Sequence, residues 1–366
     1  MSELALHNTL VQRLIGRMRK PWTRYVAGKE LERQTEFAKR LLARLAADGQ
    51  LGPDAESLRV RSAVLTRSDV VVAMLGAGAQ DEPRLVLKLP LTPDAERSTT
   101  GHRRVIVTLH EMSELRSFCA VVPRAISWGD WEGRPYYVET ALSGVGAASL
   151  VHHQAEPVTM KQDAAHLIRQ LHLATLRRRV VDDTLFARLA GDDLALLRQL
   201  APSWPESALL LQKLDQFDDL LRRQVAGCEM PFSWVHGDFW PGNLLIQPDA
   251  GTITGVVDWD RASADQIPLH DLLHLLAYER KMQRRSELGE EIVGYLLPAA
   301  FDQDERSLVK EAIWQLDLPA SVEFFRAITL LYWLRFAATN LSRYPAFRSD
   351  GRWLKNNVLL VLKRGI

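Results

Sequence analysis

The spacing of apolar positions along the chain changes near residue 58. Before this point Phe37, Leu41, Leu42 and Leu45 recur at helical spacing, and residues 1–56 are predicted to be helical. After it the period becomes two and β-branched residues increase, which predicts antiparallel strands over residues 58–65, 70–75 and 84–89, with turns at 66–69 and 76–81. We expect a helical N-terminal extension followed by a small β lobe.

An earlier helical run combines apolar and basic residues. Its apolar positions, Leu10, Val11, Leu14, Ile15 and Met18, lie beside several arginines. A basic amphipathic helix can lie on a membrane surface. We favour packing on the body of the protein or on a second subunit, and a homodimer through these helices is a further expectation.

The remaining pattern is one more hairpin and then mainly helices. A hairpin is predicted over residues 124–140, with its turn between Gly129 and Gly133. Small and polar residues follow at 139–144, as a hinge requires. The later segments have helical periodicity, and the last hundred residues are rich in aromatic side chains, which we expect in the core: Trp314, Phe324, Phe325, Tyr332, Trp333 and Phe336. We expect an N-lobe at 57–138, a hinge at 139–144 and a C-lobe at 145–366.

Polar residues interrupt the apolar pattern at one stretch within the C-lobe. A strand at Trp234 and Val235 runs into His236-Gly237-Asp238. A second strand is predicted over Asn243–Ile246, and a third over Ile253–Val257, which ends at Asp258. We expect Asp238, Asn243 and Asp258 to lie at one rim.

These three side chains have the chemistry of a phosphoryl-transfer site. Carboxylate and amide oxygens are hard ligands, which Mg²⁺ takes together with substrate phosphates. Asp238 would remain available to accept a proton from a hydroxyl group. A catalytic Asp, a metal-binding Asn and a metal-binding Asp occur in this order in protein kinases.

The stretch resembles the aminoglycoside phosphotransferase and choline kinase-like family. Its signature is His-Gly-Asp-x-x-x-x-Asn followed by Ile/Val-Asp-Trp, which stands here as His236 to Asn243 and Val257-Asp258-Trp259. The tripeptide alone fits a β-turn equally well, but the hairpin and Asp258 favour the phosphotransferase interpretation. The resemblance implies an α+β, two-lobed protein kinase-like fold with an antiparallel N-lobe and a larger helical C-lobe. It covers most of residues 57–340.

The resemblance also implies roles for residues of the N-lobe. Lys88 is the one lysine in an apolar strand, so its ammonium either reaches solvent from a strand edge or meets an anion. Its place on the third strand matches that of the lysine that pairs with nucleotide phosphates in kinase-like folds. A helix predicted over residues 103–118 would orient it through Glu111 or Glu114, and we favour Glu111.

The expected nucleotide site departs from the family pattern in one place. The loop that would cover the phosphates, residues 66–69, contains no glycine, although Ser68 could still donate a hydrogen bond. Glu139 and Ala141 at the hinge would contact the purine through main-chain groups. The sequence therefore does not separate ATP from GTP.

Other polar residues have supporting roles in this interpretation. Asp271 opens an apolar helix and is expected both to cap it and to brace the catalytic loop. His236 is expected to support that loop, and Asp260 ranks below Asp258 as a metal ligand. His166 and His172 have no matching ligand spacing and are expected on the surface or in helix packing.

Composition narrows the class of protein. Of 366 residues 47% are apolar and 25% are charged, as in an ordinary globular protein. The 46 basic residues balance the 45 acidic ones, so the net charge gives no indication that the protein binds nucleic acid or an anionic membrane. The two cysteines form no Cys-x-x-Cys pair, and the N-terminus lacks a signal-peptide pattern, so we expect a cytoplasmic protein without membrane insertion. No Walker loop, nucleophile elbow or His-Glu-x-x-His pair occurs.

The resulting hypothesis is an ATP- or GTP-dependent phosphotransferase that acts on a hydroxyl of a small molecule. Its partners would be Mg²⁺, a nucleoside triphosphate and an acceptor of the aminoglycoside, sugar or amino-alcohol type. Two alternatives stay open. One is a peptide Ser/Thr hydroxyl as acceptor, and the other is a catalytically weak nucleotide-binding regulator, which the glycine-free loop motivates.

Overall fold

The computed structural model describes residues 21–78, 82–152, 160–247 and 251–366, which form two compact units. The first unit comprises the chain up to Ser149 together with Asn243–Arg261. The second comprises Leu150–Gly242 and Ala262–Ile366. The hairpin at Asn243–Arg261 thus belongs to the first unit, although it lies far along the chain. The lobe boundaries proposed from the sequence remain predictions.

The first unit contains helices α1 and α2 and most of the strands. Its elements are α1 (Pro21–Ala47), β1 (Arg59–Leu65), β2 (Val70–Gly76), β3 (Leu85–Pro90), α2 (Pro93–Glu111), β4 (Ala125–Trp131), β5 (Arg134–Thr140), β6 (Val145–Gly146), and, after the second unit begins, β9 (Leu244–Ile246) and β10 (Ile253–Val256). A short helix, α3 (Ala147–His152), follows β6 at the boundary of the unit.

The main sheet of this unit is antiparallel, with strand order β1-β2-β3-β5-β4. The alternation of apolar residues predicted its first three strands within about one residue at each end. The β4–β5 turn lies at Glu132 and Gly133, within the predicted range of 129–133. Both residues have positive φ, 51° and 72°, as in the two-residue turns that match the twist of a hairpin. The central strand β3 is therefore flanked by β2 and β5.

Helix α1 covers one face of this sheet. Phe37, Leu41, Leu42 and Leu45 are all buried and belong to one apolar cluster with residues of β2, β3 and β5. This run therefore packs on the sheet of the first unit. The earlier run from Leu10 lies outside the described residues.

The second unit is mainly helical. Its elements are α4 (Met160–Ala174), β7 (Arg177–Val180), α5 (Asp183–Phe186), α6 (Asp192–Leu200), α7 (Ser207–Val225), β8 (Glu229–Val235), β11 (Ser263–Gln266), α8 (Leu269–Arg284), α9 (Leu288–Glu291), α10 (Gln303–Gln315), α11 (Val322–Arg343), α12 (Gly351–Leu354) and α13 (Leu360–Arg364). β8 lies between β7 and β11 in a small antiparallel sheet.

Helix α11 is the centre of this unit's core. It is buried on nearly all sides, and the indole Nε1 of Trp333 donates to the carbonyl oxygen of Asn357 at 2.7 Å. The expected core aromatics are buried on α11, with Phe325 partly exposed. Trp314 is the exception, since 78% of it is exposed. Among the described helices, none combines the length and apolarity needed to cross a bilayer.

Candidate active site

Lys88 lies in a buried cluster of charged groups in the first unit. On the neighbouring strand it faces Tyr137, so Glu139, two residues further along β5, projects from the same face of the sheet. The Lys88 Nζ atom lies 2.8 Å from Oε1 of Glu139. Nε2 of His102 on α2 lies 2.7 Å from Oε2 of Glu139 and 3.0 Å from Lys88 Nζ.

The electrostatics of this cluster favour an ionised Glu139. Burial alone would raise the pKa of its carboxyl, but the charges of Lys88 and His102 and their hydrogen bonds lower this pKa to about 2. No described residue hydrogen-bonds Nδ1 of His102. The Nε2 side of the ring faces Glu139, and a hydrogen on Nε2 can donate to Oε2. Lys88 is thus held with its charge balanced.

The prediction that Glu111 is the ion-pair partner of Lys88 was wrong. Glu111 is the exposed last residue of α2, and the expected Lys88–Glu111 ion pair is not formed. The buried face of α2 carries Ala95, Thr99, His102, Ile106 and Leu109, and Glu111 lies outside this stripe. The helix also begins ten residues before the predicted start, so its register against β3 differs from the expected one.

The glycine-free turn between β1 and β2 is closed by its own side chains. Thr66 Oγ1 accepts from the N–H of Val70 at 3.1 Å and lies 3.1 Å from Ser68 Oγ. Asp69 takes the left-handed conformation, with φ 56°, and its carbonyl accepts from Leu91 N–H at 2.8 Å. The hydroxyl of Ser68 is therefore engaged within the turn, and its contact with a phosphate remains a prediction.

The hinge residues have main-chain roles within the sheet. The N–H of Ala141 donates to the carbonyl of Arg84 at 2.9 Å, whereas the side chain of Glu139 faces Lys88. The N–H of Ala141 is therefore engaged within the sheet in this structure. The predicted main-chain contacts with a base stay predictions.

The β9–β10 hairpin brings Asn243 and Asp258 to one end. Leu244 pairs with Val256, and the N–H of Val257 donates to the carbonyl of Asn243 at 2.9 Å. Asp258 follows directly with φ 67°, a conformation that an Asp tolerates better than most residues. The predicted hairpin is thus present, and the role of the two residues as metal ligands remains a prediction.

The donor set at this hairpin end suits a magnesium ion shared with phosphates. It offers one amide and one carboxylate oxygen, and Asn243 is buried. Within the described ranges no group of three or more His, Cys, Asp or Glu side chains could hold a metal by itself. Phosphate oxygens would complete the coordination, as is usual for Mg²⁺.

The segment after Asp258 is anchored to α2. Trp259 is fully buried, donates from Nε1 to the carbonyl of Val256 at 2.8 Å, and meets the ring of Phe118 edge-on at 6.0 Å. Oδ2 of Asp260 accepts from the hydroxyl of Ser98 at 2.7 Å. Asp260 is thus engaged with the helix, in agreement with its lower rank as a metal ligand.

In the second unit, a buried carboxylate holds the loop that carries Asp238. Asp271 accepts from the N–H of His236 at 2.8 Å and of Gly237 at 2.9 Å, and lies 3.0 Å from Nε2 of His172. Burial would raise the pKa of Asp271, but the hydrogen bond and charge of His172 and the groups of His236 lower it. Gly237 has φ 75°, which only glycine adopts readily.

The bracing role expected of Asp271 is therefore present, whereas the capping role was wrong. Helix α8 begins at Leu269, so Asp271 sits in its first turn and not before it. His172 is buried against Asp271, as expected for a histidine in helix packing. His166 is half exposed.

Asp238 itself is partly accessible. Its side chain is 19% exposed, and its N–H donates to Nδ1 of His236 at 3.3 Å. Oδ1 lies 3.2 Å from Nε2 of His274, whose Nδ1 lies 2.9 Å from the hydroxyl of Tyr332. Sequence analysis missed His274. Its spacing of three residues from Asp271 on a helix was the available signal, because it puts both on one face.

The structure thus groups the predicted residues in three places. Lys88 meets Glu139, Asn243 lies beside Asp258, and Asp238 is held by the loop braced at Asp271. The first two pairs belong to the first unit and Asp238 to the second. Their common rim remains a prediction.

Comparisons with known proteins identify the family and the fold of the chain. The model of the phosphotransferase enzyme family, APH, matches residues 69–308. A mutant of aminoglycoside 2'-phosphotransferase IIIa in complex with GDP is 12% identical, with 88% of this chain and 96% of that chain covered and a TM-score of 0.51, which shows a shared fold.

Two further solved structures are similar at lower TM-scores. Aminoglycoside phosphotransferase APH(3'')-Id from Streptomyces rimosus is 18% identical over 82% of this chain and 98% of that chain, with a TM-score of 0.45. A glucosamine kinase is 16% identical over 86% and 96%, with a TM-score of 0.44. No curated protein sequence matches the chain.

The family match spans well over half of the chain and includes Lys88, Asp238, Asn243 and Asp258. The predictions of the family, of the two-lobed kinase-like α+β fold and of a phosphotransferase are confirmed. The chain belongs to the phosphotransferase enzyme family.

Proposed function

We propose that the protein moves the γ-phosphoryl group of ATP or GTP to a hydroxyl group of a small molecule. The observation that carries this proposal is the position of Asp238 and the way in which its loop is held. Asp238 is a partly exposed carboxylate at the end of a buried strand, on a loop whose backbone donates two hydrogen bonds to Asp271. A loop held in this way keeps a general base in position for an incoming hydroxyl.

Asp238 would accept the proton of the acceptor hydroxyl as the oxygen attacks the γ-phosphorus. His274 lies beside the carboxylate, with its Nε2 atom 3.2 Å from Oδ1. Asp238 then carries the proton while the bond between the γ-phosphorus and the nucleoside diphosphate breaks.

The first unit would bind the nucleotide. Lys88, with its charge balanced by Glu139, would neutralise the phosphates. Asn243 and Asp258 would hold Mg²⁺, which supplies charge stabilisation to the transferring phosphoryl group. The fold-sharing aminoglycoside phosphotransferase was solved with GDP, which supports a purine nucleotide as donor.

The test is Mg²⁺-dependent transfer from γ-labelled ATP and GTP into fractionated metabolite and peptide pools. Asp238→Asn is compared with the wild type and with Asp304→Asn, an exposed carboxylate of the same unit. We expect a labelled small molecule whose formation falls roughly 10²- to 10⁴-fold in Asp238→Asn. Nucleotide binding, measured by calorimetry, should change little in both variants.

Other outcomes separate the alternatives. Label in peptides alone would favour a peptide hydroxyl as acceptor. Tight Mg-nucleotide binding without transfer into either pool would favour the regulator. Wild-type transfer by Asp238→Asn would refute the assignment of the base.

A further inference from the structure

Helix α8 presents a row of functional groups that the proposed reaction does not fully use. Asp271, His274, Tyr278 and Lys281 are spaced by three, four and three residues, so they lie along one face of the helix. Asp271 braces the loop of Asp238. Tyr278 and Lys281 continue this face for about 10 Å beyond His274.

These side chains contact one another in sequence from Asp238 outward. His274 lies 3.2 Å from Asp238, and the ring of Tyr278 stacks on His274 with centroids 4.2 Å apart. The ring of Trp240 lies 5.5 Å from that of Tyr278, and Nζ of Lys281 lies 4.7 Å from the Tyr278 centroid. We call Trp240, His274, Tyr278 and Lys281 the α8 stripe.

The aromatic part of the α8 stripe is partly exposed beside Asp238. Trp240, Tyr278 and Lys281 are all only half-buried, whereas His274 is buried. Gly242 is needed for this arrangement, because a Cβ there would overlap the ring of Trp240. The exposed parts of the indole and phenol rings offer apolar surface that a sugar ring or another apolar group can contact.

The charge at the end of the α8 stripe is positive. Burial lowers the pKa of Lys281, which the charges of Glu287 and Asp238 only partly offset. The nearest carboxylate oxygen, on Glu287, is 4.0 Å away, and Glu287 is already engaged in capping α9 and with Asn357. A desolvated ammonium whose ion pair is this long gains from a closer anionic ligand.

We infer that the α8 stripe binds the acceptor and that this acceptor carries an anionic group, a carboxylate or a phosphate, in addition to its reactive hydroxyl. The inference rests on the proposed function of Asp238. The hydroxyl lies at Asp238, the body of the molecule lies on Tyr278 and Trp240, and the anion meets Lys281. A polycationic acceptor would instead bring its charges against the ammonium, which opposes binding.

The test uses acceptor sets that differ only in charge. One set is glucuronate, glucose and glucosamine, and the other is glycerate, glycerol and 3-amino-1,2-propanediol. Binding is measured by calorimetry in the presence of Mg²⁺ and a non-hydrolysable ATP analogue, and transfer is measured by mass spectrometry with ATP and with GTP. The wild type is compared with Lys281→Gln and with Lys310→Gln, an exposed lysine of the same unit.

We expect the wild type to bind the anionic member of at least one set at least tenfold more tightly than its neutral and cationic counterparts. Lys281→Gln should abolish this preference, and Lys310→Gln should keep it. A preference for the amine, no preference, no binding of any member, or an anion preference unchanged in Lys281→Gln would each overturn the inference. In the last case Lys281 would act only on the C-terminal end of α8.

The two proposals fail separately. Anion-selective binding that depends on Lys281, without any phosphorylated product, would leave the acceptor site standing and count against the phosphotransferase. Transfer that depends on Asp238 but shows no preference for an anionic acceptor would support the phosphotransferase and count against the proposed acceptor site.

Discussion

Replacing Glu139 with Gln tests the buried Lys88 cluster, because the amide keeps the shape of the side chain and removes its charge. The pKa of Glu139 falls from 4.5 to about 2 on folding. A depression of this size corresponds to roughly 3 kcal/mol of stability. Removal of one partner from a buried ion pair typically costs about 3–5 kcal/mol, which agrees in size.

The pH range of the effect follows from the sign of the shift. Because the pKa is lower in the folded state, the stabilisation is fully present above pH 4.5 and is lost as the pH falls toward 2. The free energy of unfolding of Glu139→Gln should therefore lie about 3 kcal/mol below that of the wild type at neutral pH. The difference should shrink progressively in acid.

Urea denaturation followed by tryptophan fluorescence, at several pH values from neutral to about pH 3, measures this difference. Glu111→Gln is the matched control, since this exposed carboxylate lies in the same unit and should change stability by less than about 0.5 kcal/mol. A deficit below about 1 kcal/mol for Glu139→Gln, or one of constant size at all pH values, would refute the electrostatic account. A larger deficit in Glu111→Gln would restore the partner predicted from the sequence.

Two further substitutions test other parts of the site, and a third tests the packing of the second unit. Asp258→Ala should weaken binding of Mg-nucleotide at least tenfold and leave metal-free nucleotide binding nearly unchanged, which calorimetry with and without Mg²⁺ measures; equal losses would remove Asp258 from the metal site. Asp271→Asn should lower the rate constant of transfer more than it raises the nucleotide KM, because the N–H groups of His236 and Gly237 lose a charged acceptor; an unchanged rate constant would contradict the bracing role. Gly289→Ala should destabilise the second unit by about 1–3 kcal/mol, since its Cβ would overlap a main-chain oxygen of the neighbouring helical segment; a thermal midpoint equal to that of the wild type would show that the segment can move.

Local pattern was enough to predict the elements that carry the site. The strands at Arg59–Leu65, Val70–Gly76 and Leu85–Pro90 follow from alternation, since one side of each strand must face a core. The hairpin from Leu244 to Val256 follows in the same way. The motif residues Asn243 and Asp258 lie where that hairpin puts them, because strand pairing alone determines their relation.

Contacts between distant segments could not be predicted in this way. Glu139 reaches Lys88 because β5 lies next to β3, and this strand order is a property of the sheet that no local pattern contains. His102 was overlooked because the predicted helix began at residue 103. The prediction therefore did not place His102 on the buried face of that helix. The spacing of His274 from Asp271 puts both on one face of α8, but no local pattern shows that His274 meets Asp238, which comes from a distant segment.

The origin of the carboxylate beside Lys88 has an evolutionary consequence. Since a strand supplies it, α2 is relieved of one constraint, and substitutions at exposed positions such as Glu111 can accumulate without changing the charge balance of the lysine. Substitutions at exposed positions of α2 would then change the sequence of this helix and leave the Lys88–Glu139 ion pair intact. Among related chains, the absence of an acidic residue from this helix is therefore a poor sign of a lost activity, and the residue at the position of Glu139 is the better one.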